Sequence, residues 1–252
     1  PYAYQLPLIC EDEGCSETLD GSPASLSASL TVSQESPPED DQSSVSESGS
    51  IRLNGGTLEI QEKILLSGDQ IETGGGRLIL KNGALLNQGA SLKLDNGTLE
   101  LGNELELVGS TLISDSAVLH LLGHVSLNIP DNLSFHEIQL NQKALTLQPS
   151  ITSLTLTQEL VLDHAESGIM RNQASLFLKG GVKLKNGGSL ELDDPSQFHV
   201  QNILLDGGHL QVKGSTDVSY SQNTGISVLS PSTLSLDPDL NLYLENLSLS
   251  SD

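Results

Sequence analysis

Residues 77–108 read RLILKNGALLNQGASLKLDNGTLELGNELELV, and this stretch decides the fold. Apolar and polar residues alternate in short tetrads: RLIL at Arg77, SLKL at Ser91, TLEL at Thr98 and ELEL at Glu104. Between them stand Asn82-Gly83 and Asn96-Gly97, residue types that tolerate positive φ and so suit tight corners. In a strand, residues i and i+2 share a face. Leu92 and Leu94, Leu99 and Leu101, and Leu105 and Leu107 therefore point inward as pairs, as do Leu190 and Leu192 further on. A helix is excluded by the period of two, and β-hairpins need strands longer than four residues.

The same grammar extends in both directions. TLEI at Thr57 and KILL at Lys63 precede the stretch; SLTL at Ser153, ELVL at Glu159, SLFL at Ser175, VKLK at Val182, SLEL at Ser189, NILL at Asn202, HLQV at His209, TLSL at Thr233 and LSLS at Leu247 follow it. About 28 tetrads lie between Thr57 and Leu247, roughly one every seven residues, which is a four-residue strand and a three-residue corner. Three such units make a coil of about 20–21 residues, so RLIL at Arg77 and TLEL at Thr98 stack in register. The expected fold is all-β, a right-handed parallel β-helix over residues 51–252 with three short strands per coil. About nine coils at about 4.8 Å each give a rod near 43 Å long.

Composition agrees with a layered interior. The chain has 48 Leu but only four Tyr, three Phe and no Trp, so aliphatic side chains must fill the core. A net charge of −22 excludes nucleic-acid binding through phosphate neutralisation. No run of 18 apolar residues exists to span a bilayer.

Residues 1–50 are a different kind of segment, an acidic Ser-rich arm and linker. They hold ten acidic residues and no Lys or Arg, and residues 35–50 (ESPPEDDQSSVSESGS) read as an extended, self-repelling linker. Within the arm, residues 24–33 (ASLSASLTVS) alternate like a strand, with Ala24, Leu26, Ala28, Leu30 and Val32 on one side. This spare strand is expected either to cap the chain's own first coil or to add to a neighbouring subunit, because exposed β-edges aggregate unless covered. Cys10 and Cys15 enclose Glu-Asp-Glu-Gly and read as a small disulfide loop suited to an oxidising compartment. A metal site built on these two thiols lacks its other ligands. The start at Pro1, without a charged and apolar leader, leads us to expect a fragment of a longer precursor.

In NGGTLEI, NGTLELGN and NGGSLEL the repeat resembles the glycine-asparagine strand repeats of bacterial autotransporter passenger domains. LILKNGALLNQGASLKL is also similar in its grammar to chlamydial polymorphic membrane proteins. The likeness covers roughly residues 51–250, but the GGAI and FxxN tetrapeptides of the chlamydial family are absent. It implies an extracellular, surface-displayed β-helix on the outer membrane exterior.

Chemistry-bearing residues are sparse and scattered. Asp193-Asp194 is the only paired Asp of the repeat region and precedes Pro195, so it reads as a solvated turn rather than an acid–base pair. His120, His124, His136, His164, His199 and His209 are scattered through the repeats and read as outward strand positions. The Asn-x-Ser/Thr sequons at Asn96, Asn132 and Asn246 read as chance in so polar a sequence. The widest departures from the mean interval lie at residues 163–172 and 214–224. No catalytic, cofactor-binding or metal-binding residue is assigned, and no cofactor is expected. The reading is a non-enzymatic, secreted or cell-surface β-solenoid, an adhesive passenger or a filament subunit. End-to-end self-association is expected, with a host surface or a glycan as a further partner. The alternative is a polysaccharide-binding or polysaccharide-cleaving β-helix.

Overall fold

The computed structural model describes residues 10–11, 14–18, 23–26, 31–32, 50–130, 132–172, 174–193, 197–213, 225–236 and 246–249, with side chains from residue 50 onward save residues 170–172, 236 and 246–249. Among the described residues there is no helix; strands of two to six residues follow one another around three faces in a fixed cycle. On the first face Ser50–Arg52, Gln70–Glu72, Ser91–Lys93 and Thr111–Ile113 lie side by side, and after a break in the ladder Asn132–Phe135, Ser153–Leu156, Ser175–Leu178 and Phe198–Val200 resume it. The second face runs from Thr57–Ile60 through Arg77–Leu80, Thr98–Leu101 and Val118–Leu121 to Glu137–Gln139, and resumes at Leu160–Asp163. The third face is unbroken, ten strands from Thr31–Val32 to Thr233–Leu236. The protein is thus a parallel β-helix with three strands per coil. Eight complete coils lie between Ser50 and Lys213, a little fewer than the nine expected, and span about 38 Å at the usual strand spacing.

Register is what the spacing predicts. Arg77 stands opposite Thr98 and Leu78 opposite Leu99, and Leu99 in turn opposite Leu119. Leu92, Leu94, Leu99, Leu101, Leu105, Leu107, Leu190 and Leu192 are all buried. One inward column of the second face reads Leu58, Leu78, Leu99, Leu119 and Ile138, so each coil lays an aliphatic side chain on the one below. Phe135 and Phe198 are the fully buried rings.

The corners show why Asn and Gly recur. At the first corner Asn54 (φ 46°) and Gly55 (φ 85°) occupy the left-handed region, and the Gly56 amide closes the turn by donating to the Leu53 carbonyl at 2.7 Å. Both central residues of such a turn need positive φ, which Asn and Gly supply at least cost. Where a corner residue points inward and is polar, the next coil satisfies it. Thr73 is fully buried, and its hydroxyl donates to the Leu94 carbonyl at 2.5 Å. Ser114 does the same to the Ser134 carbonyl at 2.7 Å. Thr73→Val keeps the shape and removes one buried hydrogen bond, so the expected loss is about 1 kcal/mol, measurable by urea denaturation. Outside, charges of alternating sign stack along the first face. Glu72 lies 3.4 Å from Arg52 and 3.0 Å from Lys93, whose ammonium also meets Asp95 at 2.9 Å. Hydrogen bonds that it donates to Asp95 and then to Glu72 hold the pKa of the Lys93 ammonium above the ordinary lysine value.

The arm joins the same cycle. Gly14–Thr18 pairs with Ser50–Arg52 on the first face, Pro23–Leu26 with Thr57–Ile60 on the second, and Thr31–Val32 with Leu65 and Leu66 on the third. The alternating stretch 24–33 is therefore divided between two faces instead of forming one strand, because a three-sided coil must turn after about four residues. Ala24 and Leu26 fall in the first piece and Val32 in the second; Ala28 and Leu30 lie outside the described residues. Cys10 and Cys15 stand opposite each other in an antiparallel pair, and their side chains lie outside the described residues.

Candidate functional site

The second face is interrupted once, between Glu137–Gln139 and Leu160–Asp163. The cause is coil length. Leu145 and Ile169 are register partners on the third face 24 residues apart, against 20 for Ile64 and Ala84. Most of the extra residues lie in the corner 148–152, ahead of the first face, and a single residue, His136, leads into Glu137–Gln139 where 157–159 lead into Leu160–Asp163. At the entry to the second face the coils are still joined, with the Gln158 amide donating to the His136 carbonyl at 2.9 Å. Beyond that point the two strands form no ladder with each other, and a groove of about 320 Å³ opens between them. The reading of residues 163–172 as an irregularity falls on its far wall, where Asp163 and Ser167 line it.

The groove is polar and acidic. Glu137, Gln139 and Asn141 come from one wall, and Glu159, Val161 and Asp163 from the other. Each carboxylate is held by a neighbour. Gln139 Nε2 donates to Glu137 at 3.0 Å, Lys183 Nζ lies 2.8 Å from Glu159, and Asn186 Nδ2 donates to Asp163 at 2.5 Å. Val161 is 41 % exposed and offers the only large aliphatic surface among these six.

A chain of side chains runs along the second face into this groove. Glu100 occupies an outward strand position, yet it is only 4 % exposed. Its Oε1 accepts from Arg77 Nε at 2.7 Å, and Arg77 Nη2 lies against the same oxygen. His120 Nδ1 lies 3.0 Å from that oxygen, and His120 Nε2 is in contact with Asn141 Nδ2. A buried carboxylate needs such partners, since an unpaired one would be strongly destabilising. It also sets the imidazole: Nδ1–H donates to Glu100, which leaves Nε2 to accept from Asn141. Arg77, Glu100 and His120 thereby orient the Asn141 amide at the groove wall from three successive coils.

The residues singled out in the sequence are otherwise apart. Asp193 ends its strand exposed, opposite Lys213 in register, and Asp194 lies outside the described residues. Thr157 Oγ1 is 2.9 Å from His136 Nδ1, His164 Nδ1 accepts from the Glu166 amide, and the His199 ring stacks on Phe177 with centroids 5.0 Å apart. Among the described residues no three His, Cys, Asp or Glu side chains converge as metal ligands. Also among them, no helix is long and apolar enough to cross a membrane. The relay was hidden in the sequence because its members are 20 to 23 residues apart, although coil arithmetic from Arg77 passes close to each. No protein-family profile, curated protein or solved structure matches the chain.

Proposed function

We propose that this chain is a non-enzymatic β-solenoid, displayed at a bacterial surface or secreted, which serves as an adhesive passenger or a filament subunit. The observation that carries the reading is the unbroken third face. Ten strands in parallel register, turned by short corners, build a rigid spacer whose length grows by one coil per 20-odd residues. Self-association draws support from the arm, whose strands add to the first coil in the same parallel geometry that a neighbouring copy's strand would use. Negative-stain imaging of the intact chain is expected to show rods that lengthen into fibres with concentration. Deleting residues 1–33 is expected to abolish fibres while leaving a folded, soluble rod. Fibres that form unchanged after this deletion would refute strand exchange, and an intact chain that stays monomeric at every concentration would refute the filament role.

The polysaccharide reading is favoured by one observation, the groove on the second face. Its carboxylates allow cleavage to be tested directly: reducing-sugar release that disappears in Glu137→Gln or Asp163→Asn would replace the non-enzymatic reading. No release from any glycan is the expected result.

A further inference from the structure

We propose that the groove between Glu137–Gln139 and Leu160–Asp163 is a glycan-binding site, for short chains of neutral or amino-bearing sugars. The inference deepens the adhesive reading above and rests on it. Three features of the groove select this ligand class.

The groove exists because two strands that elsewhere would pair have parted, so ladder hydrogen bonds are replaced by an opening of about 320 Å³. That is the lower end of ligand-sized pockets and suits one or two sugar units. Its lining sets amides that both donate and accept, those of Gln139 and Asn141, beside the accepting carboxylates of Glu137, Glu159 and Asp163. Adjacent hydroxyls of a sugar, each at once donor and acceptor, match paired groups of this kind. The exposed Val161 gives the C–H face of a ring an apolar surface to lie on.

Charge narrows the class. No Lys or Arg lines the groove, and the chain carries −22, so uronic acids and sulfated sugars are repelled. A basic peptide would also be attracted by the carboxylates. However, Glu159 is already paired with Lys183, and Asp163 and Glu137 are engaged by amides, which leaves a polar cleft rather than a bare anionic one. Asn141 is the member whose orientation is fixed from a distance, through His120 and Glu100. His120 is therefore a positioning residue for the ligand.

Titration calorimetry of the full chain tests this with four probes: chitotriose, a glucosamine trimer, trigalacturonate and tetralysine. Chitotriose or the glucosamine trimer is expected to bind, and trigalacturonate is not. Gln139→Ala, and Asn141→Gly, which keeps the positive φ of 48°, are each expected to weaken binding at least tenfold without changing the far-ultraviolet circular dichroism. His120→Gln should weaken it less. Gln211→Ala, on the third face, should leave it unchanged. The proposal is overturned if neither sugar binds, if the two groove variants bind as tightly as the parent, or if tetralysine binds more tightly than either sugar. Failure here would leave surface adhesion through other contacts, and the fibre images, as independent tests of the broader reading.

Discussion

Leu99→Asp is expected to unfold the middle of the rod. Leu99 is fully buried, with Leu78 on the coil before it and Leu119 on the coil after, both fully buried as well. An aspartate there would carry its charge into a column of aliphatic side chains with no cation in reach. The cost of an uncompensated buried charge is about 3–5 kcal/mol, a large part of the stability of an ordinary domain. In a one-dimensional stack each coil touches only its neighbours, so the damage begins locally. Limited proteolysis should cut first within the coils flanking residue 99, and the denaturation midpoint should fall sharply. A variant with unchanged midpoint and unchanged resistance would mean that Leu99 does not face the core.

Gly76→Ala is the second large effect, and it separates packing from backbone strain. Gly76 stacks directly over Gly56, whose carbonyl accepts from the Arg77 amide at 2.8 Å. A Cβ on Gly76 would lie 2.5 Å from the Gly56 carbonyl oxygen, 2.8 Å from that of Thr73 and 3.0 Å from the Leu53 Cβ. Two of those three atoms are backbone, so relief requires the coils to move apart. Overpacking of this kind costs about 1–3 kcal/mol. Its neighbour Gly75 offers the contrast: a Cβ there would meet nothing within 4 Å, but its φ is +79°. Gly75→Ala should therefore cost only the left-handed penalty of about 1–2 kcal/mol, while Gly76→Ala should also lower cooperativity by loosening the stack. Urea denaturation of both variants distinguishes the two causes. Wild-type behaviour of Gly76→Ala would show that the coils are less tightly stacked than their register implies.

Much of this architecture can be read from the residues because it is local and repeated. Alternation in TLEL or SLEL states which side chains face inward, and a seven-residue interval leaves room for only one corner. What alternation does not carry is the environment of the outward positions. Glu100 should be exposed by its place in TLEL, yet Arg77 and His120 arrive from the coils on either side and bury it. Ile79, also outward, is only 5 % exposed. The groove is likewise non-local. Its walls are ordinary short strands, and it opens where one coil is 24 residues long instead of 20 and the lead into the second face changes from one residue, 136, to three, 157–159. The arm shows the converse limit: residues 24–33 alternate without interruption, but a three-sided coil bends such a stretch between two faces.

The central claim is that successive coils stack in parallel, each adding one strand spacing to every face. Distances between spin-label pairs test it most directly, with Cys10 and Cys15 replaced by Ser. Leu65, Leu85, Glu106 and Glu191 lie outward on the third face, and the first three are register partners in successive coils. From a label at Glu191, the distances to labels at Glu106, Leu85 and Leu65 are predicted at about 19, 24 and 29 Å, rising by about 4.8 Å with each coil. Three distances that do not rise in equal steps of about one strand spacing, as in a sheet of hairpins, would contradict the β-helix itself.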